Sequence, residues 1–573
     1  MINSIPLFVH PGLILILTGI ISAIVPRKIA GIVNVIGPAI ALVFMLILKA
    51  GDVCTLSFIN DMTLFVIVVD RLNYVFGMIF SMMALIGAIY SMHNKSRLEE
   101  AASMLYAGGA LGVTLAGDWM TLIFFWELMA AASLFLIWAN KSEASVKAGF
   151  RYLLVHMLGG NLLLLGIILK VSAGDIMVSN VSEAQDAAFW LILIGVAVNA
   201  AIPPIHGWLV DAYPEGTVTG SVFLSSFTTK VAVYCLIRIF AGTEFLVWAG
   251  VVMALYGALF ALIENDMRRL LSYHIVSQVG FMVCGVGIGT ALALDGATAH
   301  AFSHILYKSL LFMCAGAIIR ATGIRKINQL GGMAKKMPVV FICFTVAAFS
   351  IAGVPFFNGF ISKSITITAA CEAGYPMAEL LLQLASVGTF LSIVMKMGYF
   401  IFFGEEADVT MRPVPKNMYV AMIIGATLCV IYGVFPHALY EFLPYEFEYH
   451  PFTLDHLVQY VQLLGVSIVP FVMYIEHMQP HSALSLDTDW LYRKPFARIV
   501  KDFSSLCVTT QLGLGEFFKN IYNDTRKFMK SPFGTGAYNP DIVREPAGNT
   551  MVTILITLIC AIIFIILMPG QIM

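Results

Sequence analysis

Residues 297–319 read ATAHAFSHILYKSLLFMCAGAII, and this stretch decides the fold class. It is long enough to cross a bilayer as a helix, which takes about 20 mainly apolar residues. His300, His304 and Lys308 recur at every fourth position, so they share one helix face and form a ladder about 12 Å long. Imidazoles pass protons near neutral pH because both ring nitrogens take part; histidines at this spacing could instead bind a metal ion. The stretch therefore predicts a membrane helix that carries ionisable groups.

The same apolar character extends over most of the chain. Hydrophobic residues make up 59% of the 573 residues, charged residues make up 12%, and mean hydropathy is +0.88. A soluble domain carries about 25% charged residues. The apolar runs lack the alternation of barrel strands, so the sequence predicts an all-α polytopic membrane protein with about sixteen transmembrane helices, the first of them retained rather than removed as a signal peptide. The predicted spans start near Val9, Ala30, Arg71, Ala101, Trp119, Gly149, Ala188, Thr219, Phe245, Ser272, Ala297, Pro338, Leu380, Met418, Leu457 and Met551.

The loops between these spans predict the orientation. Lysine and arginine are concentrated in the loops after odd-numbered spans, and acidic residues in the loops after even-numbered spans. Basic loops stay in the cytoplasm, so we expect a multi-pass protein of the inner (cytoplasmic) membrane with its N-terminus outside. The predicted organisation is three N-terminal helices (1–95), a first half-channel repeat (96–240), a second half-channel repeat (241–405), two further helices (406–480), a lateral amphipathic segment (481–548) and a terminal anchoring helix (549–573).

The segment before the last span differs from the rest, because it is basic and amphipathic. One predicted helical face carries the apolar residues Phe496, Ile499, Val500, Phe503 and Leu506. Such a pattern is typical of a helix lying along the membrane surface, here the cytoplasmic one, with a lipid-bound loop as the alternative. If residues 487–530 were wholly helical they would reach about 65 Å, although Pro495, Gly513 and Gly515 could break the helix.

Two similar motifs predict interrupted helices. Residues 202–208, Ile-Pro-Pro-Ile-His-Gly-Trp, match residues 354–360, Val-Pro-Phe-Phe-Asn-Gly-Phe, in the form aliphatic-Pro-x-x-x-Gly-aromatic. Proline removes a helical hydrogen bond and glycine loosens the backbone. Matching breaks in two halves indicate a transporter-like fold with ion sites at its centre. We therefore expect two inverted five-helix repeats with broken helices.

Further ionisable residues lie inside predicted spans, where each costs about 2.5–3.5 kcal/mol or more. Glu127 has no neutralising group within one turn of its own helix, so it must be protonated, hydrated or paired with another helix. Lys230 is its candidate partner or the next relay group. Lys363 follows the second helix break, where unwound backbone and water can solvate it; Lys396, one helix later, is equally compatible with an interfacial position. His156 stands alone, which is more typical of a packing residue than of a relay group.

Several functional classes lack support in the sequence. There is no CxxC pair, and most of the cysteines lie in apolar spans, so no iron–sulfur or zinc ligand set is present. The one glycine-rich string, residues 285–289, lies inside an apolar span and not in a strand–turn–helix context. Net charge is −1 without a basic run that suggests nucleic acid. We expect no cofactor and no resident metal, so any redox chemistry would lie on other subunits.

Several motifs, in this order, resemble the antiporter-like membrane subunits shared by respiratory complex I, membrane-bound hydrogenases and Mrp-type cation/proton antiporters. The resemblance covers about residues 60–405. The motifs are Phe-Phe-Trp-Glu-Leu (124–128), Pro-Pro-Ile-His-Gly-Trp-Leu-Val-Asp-Ala (203–212), Asn-Asp-Met-Arg-Arg-Leu-Leu-Ser-Tyr (265–273), Ser-Gln-Val-Gly-Phe (277–281), His-Ile-Leu-Tyr-Lys-Ser-Leu-Leu-Phe (304–312), Gly-Gly-Met-Ala-Lys-Lys-Met-Pro (331–338), Ala-Gly-Val-Pro (352–355) and Gly-Phe-Ile-Ser-Lys (359–363).

The resemblance implies roles for these residues. Glu127 is similar to the glutamate that gates a half-channel through a lysine, and Lys230 to the connecting lysine. His300, His304 and Lys308 are similar to the central relay and Lys363 to the residue leading to the exit. One position departs from the family: Asn199 stands where a lysine is usual, seven residues before the histidine of the His-Gly-Trp motif. An amide does not titrate near neutral pH, so either Glu127 pairs with Lys230 or the first half-channel no longer pumps as usual.

Three functions follow from the resemblance. The first, favoured by the lateral segment, is an ion-translocating subunit of a complex I-like or hydrogenase-like machine, with H⁺ and possibly Na⁺ as the ion and other membrane subunits and the lipid bilayer as partners. Such a chain would carry no redox centre itself. The second is a subunit of an Mrp-type Na⁺/H⁺ antiporter. The third is an energising partner of an inorganic-carbon uptake system.

Overall fold

The protein was analysed as a computed structural model that describes residues 3–58, 63–445, 448–476, 479–480, 487–488, 490 and 492–530. Two units are distinguished, residues 1–489 and residues 490–573. The helices of the first unit are α1 (Pro11–Ile24), α2 (Arg27–Ile47), α3 (Arg71–Ser91), α4 (Arg97–Leu115), α5 (Trp119–Trp138), α6 (Glu143–Ser172), α7 (Ala187–Ala200), α8 (Gly207–Ala212), α9 (Gly220–Ser226), α10 (Thr228–Phe240), α11 (Phe245–Ile263), α12 (Met267–Ile288), α13 (Ala291–Thr322), α14 (Met333–Lys336), α15 (Pro338–Ala352), α16 (Asn358–Glu372), α17 (Pro376–Thr389), α18 (Phe400–Phe402), α19 (Lys416–Val434), α20 (His437–Tyr440) and α21 (Leu454–Met473).

The helical membrane fold expected from the sequence is confirmed. Within the described ranges, eleven helices are long and apolar enough to cross a bilayer, and three shorter apolar helices, α1, α7 and α15, accompany them. Apolar residues on the outer helices are widely exposed, whereas the inner helices α12 and α13 are almost wholly buried. The count of sixteen spans and the inverted repeats remain predictions, and the span expected from Met551 lies outside the described residues.

A small β-sheet was not expected from the sequence. Strands β1 (Asn3–Ser4), β2 (Asp52–Ser57) and β3 (Thr63–Val68) pair in that order, β1 parallel to β2 and β2 antiparallel to β3. The sheet is fixed to α5 through Asp118, whose carboxylate accepts hydrogen bonds from the Phe65 N–H at 2.6 Å and from the Thr121 N–H at 2.8 Å. In the sequence, β2 and β3 fall in the loop between the second and third predicted spans, and each strand is only six residues long.

Both helix interruptions are present where the two motifs lie. Helix α7 ends at Ala200 and α15 ends at Ala352, and the residue after each, Ala201 and Gly353, lies in the left-handed region, with φ of 58° and 79°. The next amide then bonds back over the left-handed residue, Ile202 N–H to the Ala197 carbonyl at 3.1 Å and Val354 N–H to the Phe349 carbonyl at 2.9 Å. Both breaks therefore end in the same Schellman-type turn, so the likeness of the motifs extends to backbone geometry.

Gly359 allows the two halves of the second broken helix to pack together. A Cβ atom at this position would overlap the Ser350 carbonyl oxygen near the end of α15. We expect Gly359→Ala to lower the free energy of unfolding by about 1–3 kcal/mol, because the backbone has to shift to accept the methyl group. Gly31→Ala is the matched control, since a Cβ there meets nothing within 4 Å and alanine favours a helix. Thermal unfolding followed by tryptophan fluorescence checks both; equal midpoints would contradict the prediction.

The second unit contains the helix expected from the amphipathic pattern. After a short π-helical turn at Tyr492–Phe496, helix α22 runs from Ala497 to Lys530 and continues through Gly513 and Gly515. Its 34 residues span about 51 Å, which is shorter than the 65 Å expected for residues 487–530. Large apolar side chains, among them Phe503 and Leu512, are exposed along it. The remainder of the predicted segment, residues 531–548, lies outside the described residues.

Candidate functional site

Three of the lysines predicted as relay groups donate to carbonyl oxygens at helix C-termini. Lys230 Nζ donates to the Ser225 carbonyl near the end of α9, and Lys363 Nζ donates to the Ile351 carbonyl at the end of α15 at 2.7 Å. Lys396 Nζ donates to the Leu262 and Glu264 carbonyls at the end of α11, at 2.5 and 2.8 Å. The last carbonyls of a helix have no intrahelical partner and carry the negative end of the helix dipole. Each amine is therefore held by helix-end carbonyl oxygens, and Lys396 also lies close enough to the Glu264 carboxylate to interact with it electrostatically.

Lys308 differs from these three lysines. It is fully buried on α13, and its Nζ has no hydrogen-bond partner among the described residues. It lies close enough to Lys230 and Lys363 to interact with both electrostatically. Three buried amines without a nearby carboxylate cannot all be protonated at once, because like charges repel strongly in a low dielectric. A proton placed on one amine therefore disfavours protonation of the others.

The two histidines of α13 lie in the same cluster. His300 Nδ1 is 3.0 Å from the Ser362 hydroxyl on α16, and the His300 and His304 ring centroids are 6.3 Å apart. His304 has no hydrogen-bond partner within the described part of the chain, and its electrostatic neighbours are Lys230, Lys308, His300 and Lys363. The fold thus brings together a lysine of the first half, the ladder on α13 and the lysine after the second break. We refer to these five residues (Lys230, His300, His304, Lys308 and Lys363) as the central cluster.

A polar branch that was missed from the sequence joins the central cluster to the helix of Lys396. His274 on α12, an electrostatic neighbour of Lys308 and Lys363, has its Nε2 2.7 Å from the Ser392 hydroxyl. Ser392 lies one turn before Lys396 in a π-helical stretch, Phe390–Tyr399, a type of irregularity that is frequent at functional sites. The signal available in the sequence was His274 and Gln278 at a spacing of four inside an apolar span. Lys396 is itself buried against the end of α11.

Asp487 is a second residue that the sequence pattern did not assign to a site. Its carboxylate accepts hydrogen bonds from the hydroxyl groups of Tyr256 and Tyr273, the latter at 2.7 Å, and lies 3.3 Å from His206 Nε2. The neighbouring Thr488 hydroxyl donates to the Pro204 carbonyl at 3.2 Å. Residues 487–488 therefore hold the first helix break in place. Burial opposes ionisation of Asp487, but the His206 contact and the tyrosine hydrogen bonds outweigh it, so that the pKa lies well below its usual range.

A third missed residue lies at the start of α13, on the helix of the relay. Asp295 is buried; its Oδ1 accepts from the Tyr445 N–H at 3.2 Å, and its Oδ2 has no hydrogen-bond partner in the described ranges. Arg71 lies close enough to interact with it electrostatically. Arg71 and Tyr445 also line an open cavity of about 490 Å³, together with Arg238. Asp295 therefore lies between the ladder on α13 and a polar cleft at one end of the helix.

Comparison with known proteins agrees with this geometry. Residues 116–392 match the family model described as NADH:quinone oxidoreductase/Mrp antiporter, TM. The matched range contains the central cluster, both helix breaks and Glu127. The central part of the chain, residues 116–392, therefore matches this family of antiporter-like membrane subunits.

Individual relatives of the antiporter-like family differ in how much of their length is matched. The chain is 30% identical over 428 residues to a Na(+)/H(+) antiporter subunit of Alkalihalophilus pseudofirmus, and the match covers 65% of this chain and 53% of the relative. It is 28% identical over 372 residues to an uncharacterized protein of Methanocaldococcus jannaschii, with 61% and 77% covered. The chain thus spans about half the length of the antiporter subunit that it matches.

One solved structure matches the fold over nearly the whole chain. It is a chain of the membrane-bound sulfane sulfur reductase, an archaeal respiratory membrane complex, with a TM-score of 0.72 and 24% sequence identity; the match covers 96% of this chain and 99% of that chain. At this identity the likeness shows the fold. Together with the family match over residues 116–392, it supports a multi-pass membrane protein.

Glu127 lies apart from the central cluster. Its side chain is exposed on the surface of the chain, against Gly160 of α6, where a Cβ atom would overlap the carboxylate. No described residue forms an ion pair with it, and Lys230 bonds instead to Ser225. The Glu127–Lys230 ion pair considered from the sequence is therefore absent from this arrangement.

Asn199, the departure from the family pattern, is buried on α7. Neither side-chain atom of its amide has a partner at hydrogen-bond geometry among the described residues, and the amide lies beside the His156 imidazole. His156 is itself enclosed by the rings of Tyr152 and Trp208, with centroid distances of 4.0 and 4.5 Å. The position that lacks the family lysine therefore faces another titratable side chain.

Proposed function

We propose that this chain is an ion-translocating membrane subunit of a multi-subunit, complex I-like or hydrogenase-like energy-converting complex. The observation that carries the proposal is the central cluster. Five ionisable side chains, all fully buried, lie next to one another without a carboxylate among them. Buried lysines and histidines lower the stability of a membrane protein. Their presence side by side therefore indicates that they are retained for function. Because only some of these groups can be protonated at one time, a proton entering at one end favours release at the other.

The ion, partners and orientation belong to the same proposal. Amines and imidazoles bind protons, whereas Na⁺ requires several oxygen ligands, so H⁺ is the ion that the central cluster fits. The amphipathic helix α22 supplies an apolar face for neighbouring subunits and lipid, and the Glu127 surface is a second candidate contact. We place the protein in the inner (cytoplasmic) membrane with its N-terminus outside and α22 on the cytoplasmic side, as the loop charges predict.

The alternative is a subunit of an Mrp-type Na⁺/H⁺ antiporter, which the identity to the Alkalihalophilus pseudofirmus antiporter protein favours. The two functions differ in the energy source. A redox-linked subunit moves ions only when an electron donor and acceptor are supplied to its complex, whereas an antiporter responds to an imposed Na⁺ or H⁺ gradient alone. An energising role in inorganic-carbon uptake would instead make bicarbonate or CO₂ uptake depend on this chain.

Lys363→Ala tests the proposal. We expect the rate of ion movement by the reconstituted complex to fall by about tenfold or more, because the substitution removes the proton carrier held at the Ile351 carbonyl. Lys147→Ala is the control, since Lys147 is 63% exposed and pairs with Glu143 on the helix surface. A pH-sensitive dye inside the vesicles reports the transport. Equal rates in both variants and the wild type would make the central cluster structural and overturn the proposal.

A further inference from the structure

His156 is a buried imidazole whose surroundings are not those of an ordinary packing residue. It is 4% exposed, and neither ring nitrogen has a partner at hydrogen-bond geometry in the described part of the chain. The neighbouring Asn199 amide interacts with the ring, and neither of its side-chain atoms has a partner at hydrogen-bond geometry among the described residues. Buried polar groups that lack well-formed hydrogen bonds destabilise a fold. Two of them side by side, on α6 and α7, indicate a place kept polar for a purpose other than stability.

This pair lies one helical turn from the Glu127 carboxylate. Glu127 packs against Gly160, and Gly160 follows His156 by four residues on α6. Four residues rise about 6 Å along a helix and return to the same face. His156 therefore faces the side of α6 against which Glu127 lies.

On its other side, His156 adjoins a cluster of hydroxyl groups that reaches the start of α10, the helix that carries Lys230. The Tyr152 ring stacks on His156, and the Tyr152 hydroxyl lies 2.7 Å from the Ser133 hydroxyl and near Thr228. The Thr228 hydroxyl lies 2.6 Å from the Tyr106 hydroxyl. Thr228 precedes Lys230 by two residues at the start of α10. Hydroxyl groups both donate and accept, so they can pass a proton between better acids and bases.

We infer that His156 is the titratable link between Glu127 and Lys230, a function that no lysine on α7 supplies in this chain. The imidazole accepts a proton from the Glu127 carboxylic acid on one ring nitrogen and releases the proton of the other nitrogen to the hydroxyl cluster, from which the neutral Lys230 amine takes one up. The ring ends neutral, Glu127 ends as a carboxylate and Lys230 as an ammonium. This inference deepens the proposed function and rests on it.

Three variants of the complete complex test the inference. We expect His156→Gln to slow ion movement by about tenfold or more, because glutamine keeps the polarity but does not titrate. Asn199→Lys alone should retain transport. In the double variant, the lysine at position 199 places a titratable amine beside the former imidazole, so that transport should return to within about threefold of the wild type. His93→Gln, at a histidine bonded to Asn417 outside this region, is the matched control.

The outcomes separate the inference from the proposed function. If Lys363→Ala stops transport and His156→Gln does not, the inference is wrong and the proposed function stands. If neither variant affects transport, the proposed function fails. If His156→Gln stops transport and Asn199→Lys does not restore it, His156 is a packing residue and the inference is overturned. Each transport rate is divided by the amount of assembled complex, measured by size-exclusion chromatography. If the His156→Gln complex does not assemble, His156→Asn, which also lacks a titratable ring, is used in its place.

Discussion

Replacement of Lys308 by methionine should abolish ion transport and, at the same time, make the protein more stable. The Lys308 amine is fully buried and has no hydrogen-bond partner among the described residues. An unsatisfied buried polar group costs about 1–3 kcal/mol, and more when it is charged. Methionine has a similar volume and no charge, so we expect the free energy of unfolding to rise by about 1–3 kcal/mol.

The transport part of this prediction follows from the position of Lys308. It lies near both Lys230 and Lys363 and adjoins His304. The branch through His274 also begins at Lys308 and Lys363. Lys308 is thus a shared neighbour of Lys230, Lys363 and His274, so the loss of transport should be at least as large as for Lys363→Ala. Transport should fall to the leak rate of protein-free vesicles.

The measurement combines vesicle transport with thermal unfolding of the same purified complex. Lys147→Met is the control, because this exposed lysine lies on the surface of α6 and should change neither quantity appreciably. Retained transport in Lys308→Met would show that the central cluster is not the ion path. A lower unfolding temperature would show that the amine is well solvated, contrary to the geometry.

Asp487→Asn should be among the most destabilising single substitutions in the first unit. The carboxylate accepts from Tyr256 and Tyr273 and lies 3.3 Å from His206, with a side chain only 2% exposed. Hydrogen bonds to a buried charge are worth about 1.5–3 kcal/mol each. Asparagine keeps one carbonyl but turns an amide N–H₂ group towards other donors. We expect a loss of about 3 kcal/mol in the free energy of unfolding at neutral pH.

The same contacts predict a dependence on pH. The folded-state pKa of Asp487 is depressed below its unfolded value, because the His206 and tyrosine contacts outweigh burial; the unfolded value is about 3.9. A depressed pKa stabilises the fold fully above the unfolded pKa, and this contribution is lost as pH falls through the folded pKa. The stability difference between wild type and Asp487→Asn should therefore be constant from about pH 5 to 8 and narrow below about pH 4.

Thermal unfolding in detergent at several pH values checks this prediction. Asp408→Asn is the control, since Asp408 lies exposed in a connecting segment and its substitution should leave the unfolding temperature unchanged at every pH. A difference between wild type and Asp487→Asn that does not narrow in acid would mean that the asparagine acts by packing and not by loss of charge. No difference at neutral pH would contradict the prediction altogether.

The sequence by itself determined the class of fold and most of the central cluster. A span of about 20 apolar residues has to satisfy its backbone hydrogen bonds within itself, so it forms a helix. A spacing of four then places His300, His304 and Lys308 on one face of that helix. The proline and glycine motifs predicted both helix breaks for a local reason, because proline lacks the N–H that a helix needs. These conclusions depend on neighbours within a few residues.

Only the tertiary structure decided which of the buried lysines is without a partner. Lys396 bonds to carbonyls more than 130 residues earlier, at the end of α11, whereas the Lys308 amine meets no helix end within the described part of the chain. Contacts between distant segments also include those of Asp487 with α11 and α12 and the His156–Asn199 pair. The exposure of Glu127 likewise depends on which helices pack around α5. Local periodicity tells which face a side chain occupies but not which helix packs against that face. That choice depends on the packing of all the helices together, which no short stretch of sequence contains.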